Sequence, residues 1–145
     1  MHPFYREFEL SKPVSDFFQN QGYTIVKEVR IGFCRADIVA FKDREVTAVE
    51  LKLSDSKKAI VQAKNYQLGA DFVYLAFPLQ KTHSILRKSE QMLKNEGIGI
   101  LSVNEKTCIV SKIIEAKPSK KKFASLSLSQ IQHRRDNRRS KYKLY

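Results

Sequence analysis

The sequence predicts an α/β domain, a mixed central β-sheet flanked by helices. Three observations carry this expectation. Apolar residues recur at helical spacing in three segments, six other segments are short and either β-branched or wholly apolar, and the two kinds interleave along the chain. At 145 residues the chain is long enough for one full domain and too short for two.

Residues 4–21 bring Leu10, Val14, Phe17 and Phe18 together at helical spacing, with Gly22 as a C-terminal stop. Pro13 either kinks this helix or starts it afresh, because it has no N–H to donate. Residues 23–30 (YTIVKEVR), 36–41 (ADIVAF) and 46–53 (VTAVELKL) read as strands. Ser54, Asp55 and Ser56 offer N-caps for a helix over 57–68, which Gly69 ends. The run 72–77 (FVYLAF) is apolar throughout and suits a strand covered on both faces. A further helix is expected over 84–96, capped by Ser84 and ended by Gly97, with Ile85, Leu86, Met92 and Leu93 on one side. Strands over 98–103 and 108–114 complete the core, so the domain is expected to occupy 1–116. Residues 117–145 read as a basic, flexible tail, with a short helix near 126–135 as its one candidate element.

Charge narrows the function classes. Lys and Arg number 27 against 15 acids, a net charge of +12. Residues 117–145 carry 10 basic side chains and one acid, Asp136, whereas 1–116 carry 17 and 14, so the excess is mostly in the tail. Such a balance points to a polyanionic partner. Phe123, Tyr142 and Tyr145 interleave with the tail's Lys and Arg, a pattern compatible with base stacking or with a solvated end. Cys34 and Cys108 form neither a disulfide framework nor a CxxC site, which suits a reducing, cytoplasmic setting. No apolar run approaches the roughly 20 residues that cross a bilayer, and no membrane partner is expected. His2, His83 and His133 lack ligand spacing, and Gly-rich phosphate loops and Ser-His-Asp arrangements are absent from the sequence.

The chemistry concentrates in one hairpin. If 36–41 and 46–53 pair as antiparallel strands about a turn at Asp43 and Arg44, paired residue numbers sum to 87 and Asp37 faces Glu50. Opposed side chains stand about 5 Å apart at Cβ, and like charges there repel. Val39, Phe41, Val46 and Ala48 share that face, so two carboxylates and Lys52 stand at one end of a core-like surface. A divalent cation resolves the repulsion: two carboxylates and a backbone carbonyl, that of Leu51, suit Mg²⁺, with Mn²⁺ as a substitute. Lys52 would then act on water and on a phosphate in the transition state. The alternative is a strand-edge Asp37 beside a structural Glu50–Lys52 ion pair. Acid-x-Lys is common by itself; the opposed aspartate favours the metal reading.

The stretch RADIVAFKDREVTAVELKL resembles the PD-(D/E)xK nuclease superfamily, with Asp37, Glu50 and Lys52 at the motif positions and Ala36 in place of the usual proline. Gln62 and Tyr66, four apart on the next helix, resemble the QxxxY signature of its RecB and lambda exonuclease branch. The resemblance covers roughly residues 5–116. It implies a restriction endonuclease-like fold and Mg²⁺-dependent hydrolysis of DNA phosphodiesters, in repair, recombination or restriction. It further implies that Gln62 and Tyr66 help position the site and the DNA, and that a glutamate of the first helix joins the metal, Glu7 rather than Glu9. Two alternatives stand beside this: a non-catalytic nucleic-acid-binding or assembly domain with the same fold, and a structure-selective resolvase acting as a homodimer.

Overall fold

The computed structural model describes residues 4–122. The candidate helix near 126–135, the aromatics Phe123, Tyr142 and Tyr145, and His2 and His133 lie outside the described residues.

A 3-10 turn over Glu7–Leu10 runs directly into α1 (Ser11–Gln19). Pro13 stands in the first turn of α1, where the backbone N–H has no intrahelical partner to lose, so it begins the helix and does not kink it. Leu10, Val14 and Phe18, four residues apart, are buried against the sheet. Tyr23 then donates its N–H to the Phe18 carbonyl at 3.1 Å, turning the chain into the first strand.

Strands β1 (Thr24–Ile31), β2 (Cys34–Lys42) and β3 (Glu45–Leu51) form an antiparallel meander. A two-residue turn, Gly32 and Phe33, joins the first pair. Asp43 (φ 50°) and Arg44 (φ 74°) join the second in the left-handed conformation of a type I′ turn, whose twist matches that of the strands. After β3 the connections become crossovers. Helix α2 (Ser56–Tyr66) leads to β4 (Phe72–Pro78), and α3 (Leu79–Glu96) leads to β5 (Gly99–Val103). β3, β4 and β5 run parallel, and β6 (Val110–Ile114) closes the sheet antiparallel, in the spatial order β1-β2-β3-β4-β5-β6. The fold is therefore a three-layer α/β arrangement, a mixed six-stranded sheet with α1 on one face and α2 and α3 on the other.

Each face has its own core. Ile38, Ala40, Val49, Leu51, Tyr74, Leu101 and Val103 meet α1, while Val39, Val46, Ala48, Val73, Leu75 and Phe77 meet Ala59, Ala63, Tyr66, Ile85 and Leu93 of α2 and α3. β4 contributes to both faces, as its unbroken apolar run anticipates.

Four expectations are corrected. α3 begins at Leu79, not near 84: Pro78 is its N-cap, and Ser84 is an interior helical residue. α2 ends at Tyr66 with Gln67 as a right-handed C-cap, so Gly69 is not the terminator. By contrast Gly97, at φ 76°, is the left-handed cap expected of α3. β1 and β2 reach closer together than their apolar patterns suggest, with Ile31 and Cys34 paired across the turn. Finally, the boundary at 116 falls inside packed chain. Lys117 donates its N–H to the Gly97 carbonyl (2.9 Å), Ser119 donates to the Asp71 carbonyl (2.8 Å), and Lys122 pairs with the Asp71 carboxylate. Residues 117–122 thus belong to the folded body. Among the described residues no helix is long and apolar enough to cross a membrane.

Candidate active site

The β2–β3 ladder pairs Lys42 with Glu45, Phe41 with Val46 and Ile38 with Val49, the register in which residue numbers sum to 87. Continued by one position, it sets Asp37 opposite Glu50 on the face that meets α2. Glu50 lies in the buried run of β3, which Leu51 ends, and Lys52 follows β3, its N–H donating to the Ala76 carbonyl of β4 at 3.0 Å. That bond carries the parallel pairing one residue past the strand and fixes the lysine's backbone. On the other side, the β1–β2 ladder skips the position where Asp37 would meet Glu28, which has φ 56°.

The side chains form a connected group. Glu50 is 4% exposed and Lys52 7%. Lys52 Nζ lies 3.6 Å from Glu50 Oε2, and the Tyr66 hydroxyl donates to Glu50 Oε1 at 2.6 Å. Tyr66 Oη also lies 2.9 Å from the Arg35 carbonyl oxygen. Asp37, half-buried, accepts the Leu51 N–H through Oδ2 at 2.8 Å. Burial pushes the Glu50 carboxyl up to about 8; facing Asp37 pushes the same way, while the Tyr66 hydrogen bond and Lys52 pull it back. Burial, and then the bond to Glu50, holds the Tyr66 phenol well above its ordinary range.

Asp37, Glu50, Lys52 and Tyr66 are therefore brought together. Gln62 is half-buried one turn before Tyr66 on α2, and its Oε1 is buried without a hydrogen-bond partner among the described residues. Leu51 contributes its N–H to Asp37. Glu7 is exposed on the 3-10 turn, and Glu9 is spent on the cap, accepting the N–H groups of Tyr5 (3.0 Å) and Arg6 (2.8 Å). Among the described residues no cluster of three His, Cys, Asp or Glu side chains forms, so neither glutamate makes a third member beside Asp37 and Glu50.

The donor set still fits a hard divalent cation. Mg²⁺ commonly takes one or two carboxylates and fills its remaining positions with water and phosphate oxygens, and here two carboxylates face each other with a buried, unpartnered amide oxygen on the neighbouring helix. Two participants were not anticipated from sequence. The Arg35 carbonyl offers no sequence signal. Asn65, adjacent to Tyr66, bonds the β1–β2 turn through its side chain, and Gly32 in that turn was the only hint.

No family model and no curated protein matches the chain. Among solved structures it is similar to a protein of unknown function from Silicibacter pomeroyi, with 16% sequence identity and a TM-score of 0.64, over 98% of this chain and 91% of that one. At that identity the likeness is one of fold: the α/β arrangement described above, over almost the whole length of both chains.

Proposed function

We propose that this protein is a metal-dependent deoxyribonuclease of the PD-(D/E)xK kind, hydrolysing phosphodiester bonds at the Asp37–Glu50–Lys52 end of the β2–β3 hairpin. One observation carries the reading: two carboxylates face each other at the rim of an apolar core, with a buried lysine 3.6 Å from one of them. Two opposed carboxylates are costly to charge together in such a place, and either a proton held by Glu50 or a bound cation relieves the repulsion. A bound Mg²⁺ would supply charge neutralisation and Lewis acidity at the phosphodiester. Asp37 and Glu50 would hold it, Tyr66 orients Glu50, and Gln62 supplies a further oxygen. Lys52 places a positive charge where the phosphate gains negative charge, which favours the transition state over the ground state. The basic residues from 117 onward add sequence-independent attraction to DNA, and DNA as substrate fits a cytoplasmic location.

A second reading rests on a specific observation. Glu50 already has both Tyr66 and Lys52 as partners, an arrangement that also serves a non-catalytic DNA-binding or assembly domain. Cleavage of single-stranded, duplex and branched DNA, with Mg²⁺ or Mn²⁺ and with excess chelator, separates the two. Hydrolysis with metal and none with chelator is expected. Hydrolysis that survives chelator, or DNA bound and never cut with either metal, rejects the nuclease.

A further inference from the structure

The β1–β2 turn projects an aromatic ring into solvent while its backbone is fastened from behind. Phe33 is 86% exposed, the most exposed large apolar side chain of the described residues. Its N–H is accepted by Asn65 Oδ1 at 2.9 Å, Asn65 Nδ2 donates to the Ile31 carbonyl at 2.7 Å, and Tyr66 Oη reaches the Arg35 carbonyl at 2.9 Å. Asn65 therefore clasps two backbone groups of the turn, and the hydroxyl of the next residue, Tyr66, stands at a third. Gly32, at φ 63°, makes the clasp fit: a Cβ there would lie 2.2 Å from Asn65 Oδ1. A loop tip usually gains little from such fastening, and a phenylalanine left in water forgoes the stabilisation that burial would give it. An exposed ring on a fastened backbone is instead the form of a recognition anchor.

Its surroundings select the partner. Arg30 and Arg35 are directly paired across the hairpin, one register step behind the turn, and both are exposed. The outer face of α2 adds exposed Lys57, Lys58 and Lys64, of which Lys64 pairs with Glu96 at 3.7 Å. An apolar ring framed by cations suits a polyanion with flat apolar faces, which is nucleic acid with unstacked bases. Phe33, in the turn just before β2, precedes Asp37 by four residues, so it stands about 13 Å from the carboxylates at about 3.3 Å per residue, or about four base-pair steps.

We infer that the β1–β2 hairpin is a wedge that recognises single-strand/duplex boundaries in DNA, Phe33 inserting at the boundary and Arg30 and Arg35 meeting the backbone beside it. The cut-site consequence rests on the nuclease reading; the wedge itself does not.

The test therefore begins without catalysis. The full chain is bound, in chelator, to a forked duplex carrying 2-aminopurine at the fork and to a linear duplex of the same length. Wild type should unstack the probe and brighten it, and should prefer fork to duplex by about tenfold, within the range that one aromatic–base stack supports. Phe33→Ala should abolish the brightening and the preference while leaving linear-duplex affinity and melting temperature unchanged, and Phe33→Tyr should keep both. Asn65→Ala, which frees the turn, should reduce the brightening with the ring still present. An unchanged fork preference in Phe33→Ala overturns the wedge, as does a Phe33→Ala defect confined to self-association. If Mg²⁺ supports cleavage, cuts should map about three to five nucleotides from the fork and scatter in Phe33→Ala. Absence of cleavage with brightening intact would count against the nuclease alone.

Discussion

Two aspartates do the same work for the backbone at opposite ends of β3, in opposite electrostatic settings. Asp71 Oδ2 accepts the N–H of Val46, near the turn, and Asp37 Oδ2 accepts the N–H of Leu51, at the far end, both at 2.8 Å. Asp71 is then closed off by Lys122, brought in from the other end of the chain. Asp37 instead faces a second carboxylate, and the nearby Lys52 is the ion-pair partner of Glu50. Where the fold needs only a strand fastened, it supplies a counter-ion with the carboxylate. Where it leaves carboxylates facing, stability is being given up, and such sites are where ligands and reacting groups belong.

That contrast is breakable, most severely through activity. Asp37→Asn or Glu50→Gln should lower metal-dependent DNA cleavage by on the order of 10³-fold with the fold intact by circular dichroism, whereas Asp71→Asn should leave turnover per folded molecule within about twofold. Comparable losses from Asp71→Asn and Asp37→Asn would erase the distinction. Next in size, Lys52→Ala should slow turnover on the order of 10²-fold with little change in Mg²⁺ affinity, since the lysine is assigned to the transition state. Gln62→Ala and Tyr66→Phe should cost less. A raised Mg²⁺ requirement in Lys52→Ala would move the lysine to a different role.

Stability should separate Asp71 from the facing carboxylates in a different way. Asp71→Ala breaks a part-buried hydrogen bond and an ion pair, and should cost about 1–3 kcal/mol in chemical denaturation. Glu50→Gln, measured in chelator, should show its effect through pH. The Glu50 carboxyl is raised from 4.5 to about 8 in the folded protein, so between those values the folded state holds a proton that the unfolded state has lost. Its contribution is therefore most favourable below pH 4.5 and is lost as pH rises to about 8. Wild type should lose stability across that window relative to Glu50→Gln, whose side chain does not titrate. Parallel pH profiles would show that Glu50 is not held protonated. The smallest effect concerns the basic end. Truncation after Lys122 keeps the Asp71 ion pair, and each phosphate contact removed should lower the slope of log affinity against log salt by about 0.9 on duplex DNA. Truncation after Ala116 should destabilise the body as well, because it also removes the bonds to Gly97 and Asp71.

The legible parts of this molecule were those fixed by local chemistry. The β2–β3 register follows from alternation around a two-residue turn, and that register alone opposes Asp37 to Glu50. Asp55, which accepts the Lys58 N–H, and Gly97 were readable as caps because each serves residues within one helical turn. Less legible was what depends on distant partners. The early start of α3 rests on Pro78 acting as a cap at the edge of an apolar strand, where Ser84 looked the better choice. The docking of 117–122 depends on Asp71 and Gly97, and nothing in a lysine-rich run announces those partners. Gln62 and Tyr66 are equally spaced for one face, yet only Tyr66 has a side-chain bond to Glu50; spacing sets a direction and not a contact.

Tyr66 also sets a limit on how the hairpin and the carboxylates can be coupled. A phenol has one proton to give, and two oxygens compete for it, Glu50 Oε1 at 2.6 Å and the Arg35 carbonyl at 2.9 Å. While Glu50 claims the proton, the hairpin backbone beside Arg35 forgoes that bond; when Glu50 is protonated or otherwise engaged, the hydroxyl is released to secure it. The hairpin and the carboxylates therefore share a single exchangeable bond, and the state of one is written into the grip on the other.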